Sequence, residues 1–191
     1  MTTKEKIITQ SNDLIRALPF KDNNFNISLT QKRILYYFID EIINKDYCHR
    51  NGDNWIRINT NDLINAINPQ KGGNTTLICI NELDKFREGR YKIIINYHDD
   101  EGRKVTRHTQ WVLEIESIVA SGEIDIHFPN LILENVRNLK GFFTSMSMES
   151  IMKAKSGNQI RLYEILMSFS SLGKASFSPS ELKKRLDIPP N

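Results

Sequence analysis

Only two cysteines occur in the 191 residues, Cys48 and Cys79, and they form no CxxC pair. A disulfide framework or a cysteine-bound zinc therefore has nothing to rest on, and free thiols in a reducing cytosol are expected. Long apolar runs are missing as well. Nothing approaches the ~18 apolar residues that suggest a membrane span, and the opening "MTTKEKIITQSNDLIRA" has no apolar signal core. We expect a cytoplasmic protein with no membrane partner. No charge of one sign dominates: 26 Lys and Arg face 23 Asp and Glu, for a net charge of +3. That balance leans toward an anionic partner without identifying one. The four histidines sit in no catalytic motif, and no internal repeat or low-complexity tract is visible.

What is present is an ordinary globular composition, 39% hydrophobic and 26% charged, in a chain long enough for one good core. Charge is unevenly placed along it. Residues 137–161 hold Arg137, Lys140, Lys153, Lys155 and Arg161 against Glu149 alone, whereas residues 111–134 hold Glu114, Glu116, Glu123, Asp125 and Glu134 with no Lys or Arg. One basic and one acidic surface are expected.

"SLTQKRILYYFIDEIINKD" (28–46) opens with Ser28 and places Gln31 three residues on, a capping box, and its apolar pairs Ile34/Leu35, Phe38/Ile39 and Ile42/Ile43 predict a core helix. "WIRIN" alternates like a strand, and "NTNDLINAIN" (59–68) is a short helix stopped by Pro69. After a break at Pro69–Gly73, a third helix is expected from Asn74 to about Phe86, with Leu77, Ile80, Leu83 and Phe86 toward the core and Asn74, Ile78, Asn81 and Lys85 away from it. "RYKIIINYH" reads as a strand, "DDEG" as a turn, and "RKVTRHTQWVLEIESIVA" as one long extended partner; "SG" then leads to the alternating "EIDIHF". Helix, strand, helix, helix, strand, strand is the winged-helix order. Helical segments follow at "NLILENVRNLK", "SMESIMKAK", "SGNQIRLYEILMSFSSLG" and "PSELKKRLDI", with Ser156 marking a break and Pro179 in a first turn.

The stretch "NPQKGGNTTLICINEL" (68–83) poses a choice between a phosphate cradle and a DNA-reading turn. A P-loop needs its lysine after the glycines and a strand before them; here Lys71 precedes Gly72 and a helix comes before. As a helix-turn-helix, the same residues put Asn74, Thr75 and Thr76 at the tip of the third helix, where amides and side chains meet DNA. Asn74 and Asn81 are able to bond adenine. Lys71 and Lys85 complete the candidate helix site. Arg103, Lys104 and Arg107, beside the acidic tip 99–101, are candidate phosphate contacts of the wing, and Lys153 and Lys155 are candidate backbone anchors. Arg161 reads as the ion-pair partner of Glu164. Glu114, Glu116, Asp125 and His127 are the only constellation with a catalytic alternative, a shared face that could hold Mg²⁺ or another divalent metal in a nuclease-like site, but alternating charge is more often the wet side of a half-buried sheet. No catalytic residue, metal or cofactor is expected.

Taken together, "SNDLIRA", "SLTQKRILYYFI", the tryptophan with its strand, "SGEIDIHFPNL", "LKGFFTSMSMESIMKAKS", "IRLYEIL" and "SELKKRLDIP" resemble the first winged-helix domain of the replication initiator (Rep) proteins of iteron-containing bacterial plasmids, over residues 11–189. The resemblance implies an α+β winged helix-turn-helix, with a three-stranded antiparallel sheet and additional C-terminal helices. It implies residues 1–10 as a flexible segment, residues 11–191 as the domain, and a second winged helix absent after "LDIPPN". It further implies binding to double-stranded origin repeats, homodimers that repress, monomers that initiate, and host replication proteins as partners.

Overall fold

The computed structural model describes residues 6–16, 18–19, 28–44, 48–50, 53–67, 75–88, 91–99, 101–118, 121–137, 139, 143–186 and 188. The short strand β1 (Ile7–Ser11), the turn-length helix α1 (Asn12–Arg16) and β2 (Leu18–Pro19) lead into the central helix α2 (Leu29–Asn44). The capping box is complete: Ser28 Oγ accepts from the Gln31 N–H at 3.2 Å, and Gln31 Oε1 accepts from the Ser28 N–H at 2.5 Å. From that start the helix buries Ile34, Leu35, Phe38, Ile39 and Ile42, and it packs against most of the other helices. Phe38 forms the hub, with Phe86 and Phe128 set edge-on at 5.9 and 5.8 Å.

Next come β3 (Cys48–Arg50), β4 (Asp53–Asn59), α3 (Thr60–Ile67), α4 (Thr75–Arg87), β5 (Lys92–His98), β6 (Lys104–Gln110), β7 (Glu114–Ile118) and β8 (Glu123–His127). α5 (Asn130–Arg137), β9 (Phe143–Ser147), α6 (Met148–Lys153), α7 (Gly157–Met167), a 3-10 turn (Ser170–Leu172) and α8 (Pro179–Arg185) complete the order. Ser147, Ser156 and Ser178 cap α6, α7 and α8, each accepting from the N–H three residues on.

The class is α+β with a winged helix, but the sheet is not the single three-stranded one expected. Three antiparallel sheets form among the described residues: β1-β9, β2-β5-β6 and β3-β4-β8-β7. The strand β4 enters beside β8, which pairs in turn with β7, so the wing hairpin of the winged helix is β7-β8, with its turn at Ser121–Gly122. The hairpin expected to be the wing, β5-β6, lies in a different sheet. The physical reason is a change of partner at residues 111–113. Trp111 N–H donates to Tyr91 C=O at 3.0 Å, Val112 is buried, and Leu113 N–H donates to His127 C=O at 2.9 Å. One extended run thus serves two sheets. Residues Ile7–Gln10, expected within a flexible segment, instead pair in β1 with β9, and Ile8 is fully buried.

Candidate nucleic-acid interface

α4 follows α3 as the second helix of the helix-turn-helix, and it packs on α2, α3 and β7. Its core-facing residues are Cys79, Leu83 and Phe86. Leu77 and Ile80, expected inside, are exposed at 59% and 43%, and Ile78 at 48%. Apolar side chains occupy most of the helix circumference, so periodicity does not select a face; the packing of Cys79 and Phe86 under α2 does. Lys71 and Asn74 lie outside the described residues, and Thr75 and Thr76 begin α4 with side chains outside them as well. Asn81 is exposed, as expected. Lys85 is half-buried and bonds Glu82 at 2.8 Å, and Glu82 also accepts from Gln31 of the capping box. The cation of Lys85 therefore neutralises its own helix rather than standing out toward a ligand.

The β5-β6 hairpin carries the larger share of cations. Its turn is set by Gly102, at φ 76°, a conformation that favours glycine. Arg103 reaches back over this turn: its Nε donates to Asp99 Oδ2 at 2.7 Å and its Nη1 lies 2.6 Å from Glu101 Oε2. These bonds hold the Asp99 carboxyl below the usual carboxylate range. Arg103 thus counters the acidic tip that would otherwise repel phosphate. Lys104 and Arg107 are exposed, but the period of two sets them on opposite faces. Lys104 pairs with His98, whereas Arg107 lies opposite buried Ile95. Sequence reading missed Lys92, His98 and His108, which share the Lys104 face; the alternation of β5 in register with β6 is the signal that finds them.

Lys153 and Lys155 are exposed at the α6-α7 break, Lys153 bonding Glu149 one turn back. Arg33 fixes that break: its Nη2 donates to the carbonyls of Met152 and Ala154 at 2.7 and 3.0 Å, while its Nη1 donates to Ile67 at the end of α3. Arg161 is not a surface cation. It bonds Glu164 at 2.8 Å and donates to the carbonyls of Ile15 and Arg185. Glu164 also accepts from Lys32 Nζ at 2.8 Å and from the Tyr36 hydroxyl at 2.9 Å. Burial alone would raise the Glu164 carboxyl, but the Lys32 and Arg161 charges outweigh it and hold the group below the ordinary glutamate range.

The acidic face assembles as alternation suggests, with Glu114 opposite His127 and Glu116 opposite Asp125. Asp125 is not on a wet surface, however. It is 2% exposed and receives Arg57 Nε and Nη2 at 2.7 and 2.9 Å, while His127 stacks on Trp55 with ring centroids 4.9 Å apart. Among the described residues, no group of three His, Cys, Asp or Glu side chains is placed to hold a metal ion, and no helix is long and apolar enough to cross a membrane.

Comparison with a solved structure agrees with this fold. A crystal structure of the Pi initiator protein in complex with iteron DNA superposes with a TM-score of 0.64 at 19% identity, covering 97% of this chain and 74% of that one. The WH1 domain of MSBI1.176, a replication protein isolated from a multiple sclerosis patient, aligns at 11% identity and TM-score 0.42, over 68% of this chain and 88% of that one. No curated protein gives a significant sequence match. Residues 7–167 match the family described as initiator replication protein, WH1. With that match spanning most of its length and the winged helix in place, the chain belongs to the WH1 family of initiator replication proteins.

Proposed function

We propose that this protein is the DNA-binding and dimerisation domain of a plasmid replication initiator. It binds the repeats of its origin to start replication, represses its own gene as a dimer, and works with host replication proteins without being an enzyme. The observation that carries this reading is the match of residues 7–167 to the initiator WH1 family. The similarity in fold to an initiator crystallised with iteron DNA supports it. Lys92, Lys104 and Arg107 on the hairpin, with Lys153 and Lys155 at the α6-α7 break, are the side chains offered to phosphate. Asn81 is the described residue of α4 able to bond a base edge. The test is a gel shift on duplexes cut from the origin that adjoins the gene. A shift of repeat DNA that outlasts competition by scrambled duplex is expected; equal loss of both complexes contradicts repeat binding.

A second reading has its own observation. Among the described residues β6 is an edge strand, and α4 exposes Leu77, Ile78 and Ile80, an apolar surface of the kind that marks protein contacts. The chain would then be a dimerisation module with little DNA affinity of its own. Light scattering beside the gel shift separates the two: a stable dimer that never shifts DNA favours this second reading.

A further inference from the structure

The strand β2 pairs with β5 only at Ile93 and Ile94. Beyond those residues β5 and β6 continue to His98 and Lys104 as a two-stranded ribbon. Its two faces differ in chemistry. On one, Ile93 and Ile95 turn into the core. On the other, alternation and register bring together Lys92, the half-buried Ile94, Asn96 and His98 of β5 with Lys104, Thr106, His108 and Gln110 of β6. All of these side chains but Ile94 can donate a hydrogen bond, two are lysines and two histidines, and none is a carboxylate. Lys92, Asn96, His98, Lys104, Thr106 and His108 are exposed.

We propose that this ribbon face enters the major groove of DNA and reads base edges there, as a recognition surface separate from α4. The inference rests on the DNA-binding reading above and goes beyond it, because cations at a hairpin only position a protein, whereas amides in register discriminate bases. A major groove about 12 Å wide admits a two-stranded β-ribbon. The charge of this face fits a polyanion, and of the acids at the tip Asp99 and Glu101 are both bonded by Arg103. Asn96 is exposed and its Oδ1 accepts from Thr106 Oγ1 at 2.8 Å, which engages the acceptor of the amide and leaves its N–H groups as the donors of that side chain. Those donors match the N7 and O6 acceptors of guanine, and Gln110 stands on the same face near the other end of the ribbon.

Selection from a duplex pool with a randomised central segment tests this with the whole chain. Wild type is expected to enrich a motif. Asn96→Ala and Gln110→Ala should each flatten one or two adjacent positions of it, lowering discrimination there about five- to a hundredfold, while affinity for the unselected pool changes little. Lys92→Ala with Lys104→Ala should weaken pool binding and leave the motif intact. Replacing purines by their 7-deaza analogues at the flattened positions should weaken wild type but not Asn96→Ala. A motif unchanged in both amide variants, or no motif at all, overturns the ribbon inference. If the pool still binds in that case, the DNA-binding reading survives; if nothing binds, both fall.

Discussion

At the scale of single residues, the most consequential group is one that sequence marked only in part. Arg161 and Glu164 are three apart on a helix, so their pairing is legible from spacing. That Lys32, Tyr36 and the Ile15 carbonyl meet them is not, because those partners come from elements more than a hundred residues away. Glu164→Gln leaves the half-buried Lys32 and Arg161 without their buried counter-ion and should cost about 3–5 kcal/mol in urea denaturation. The pH dependence follows from the direction of the shift. The folded carboxyl titrates below the 4.5 of a free glutamate, so its contribution is present above that value and lost as pH falls through the folded one. Wild type should lose stability on acidification below about pH 4.5, and Glu164→Gln should lose less. The Tyr36 hydroxyl is shifted the other way, well above 10.0, mainly by burial and by the Glu164 charge. Its contribution is full below pH 10.0 and declines as pH rises through the folded value.

At the scale of elements, local signals were read well and non-local ones were not. The start of α2 was legible because Ser28 and Gln31 form a box within four residues. The break at Ser156 and the first-turn Pro179 were legible for the same local reason, and Ser156 and Ser178 cap the two helices that follow. The buried face of α4 was not, since Leu77, Ile78 and Ile80 are as apolar as Leu83 and only tertiary packing decides between them. Substitution checks this directly. Leu83→Ala should cost about 2–5 kcal/mol, whereas Leu77→Ser or Ile80→Ser should stay within about 0.5 kcal/mol in the monomer. Cys79 gives a second check on the same helix. Burial, with the Glu82 charge, pushes its thiol up to about 11. Alkylation at neutral pH, mapped to the Cys79 peptide, should therefore proceed only as fast as α4 opens. Labelling of Cys79 at the rate of a free thiol would contradict the packing. The division of one extended run between β6 and β7 was equally hidden, because strand pairing is decided by partners such as Tyr91 and His127 that a local pattern does not name.

At the scale of the whole molecule, the described sheets and the helices packed on α2 carry separate sets of cations, among them those of the β5-β6 hairpin, the α6-α7 break and the end of α8. The net charge of +3 hid this, because Arg57, Arg103 and Arg161 are each spent on carboxylates of the chain itself. Exposed cations among the described residues include Lys92, Lys104, Arg107, Lys155, Lys174, Lys183 and Lys184, and binding through such contacts must release counter-ions from DNA. The decisive measurement is affinity for a mixed-sequence duplex as a function of salt, for wild type and for Lys92→Ala with Lys104→Ala, which share one face of the hairpin. With about four phosphate contacts, wild-type affinity should fall roughly a hundredfold between about 50 and 200 mM salt, and the double variant should show a log–log slope shallower by about two. Wild-type binding that is flat across that range, or a variant as steep as wild type, would contradict the account.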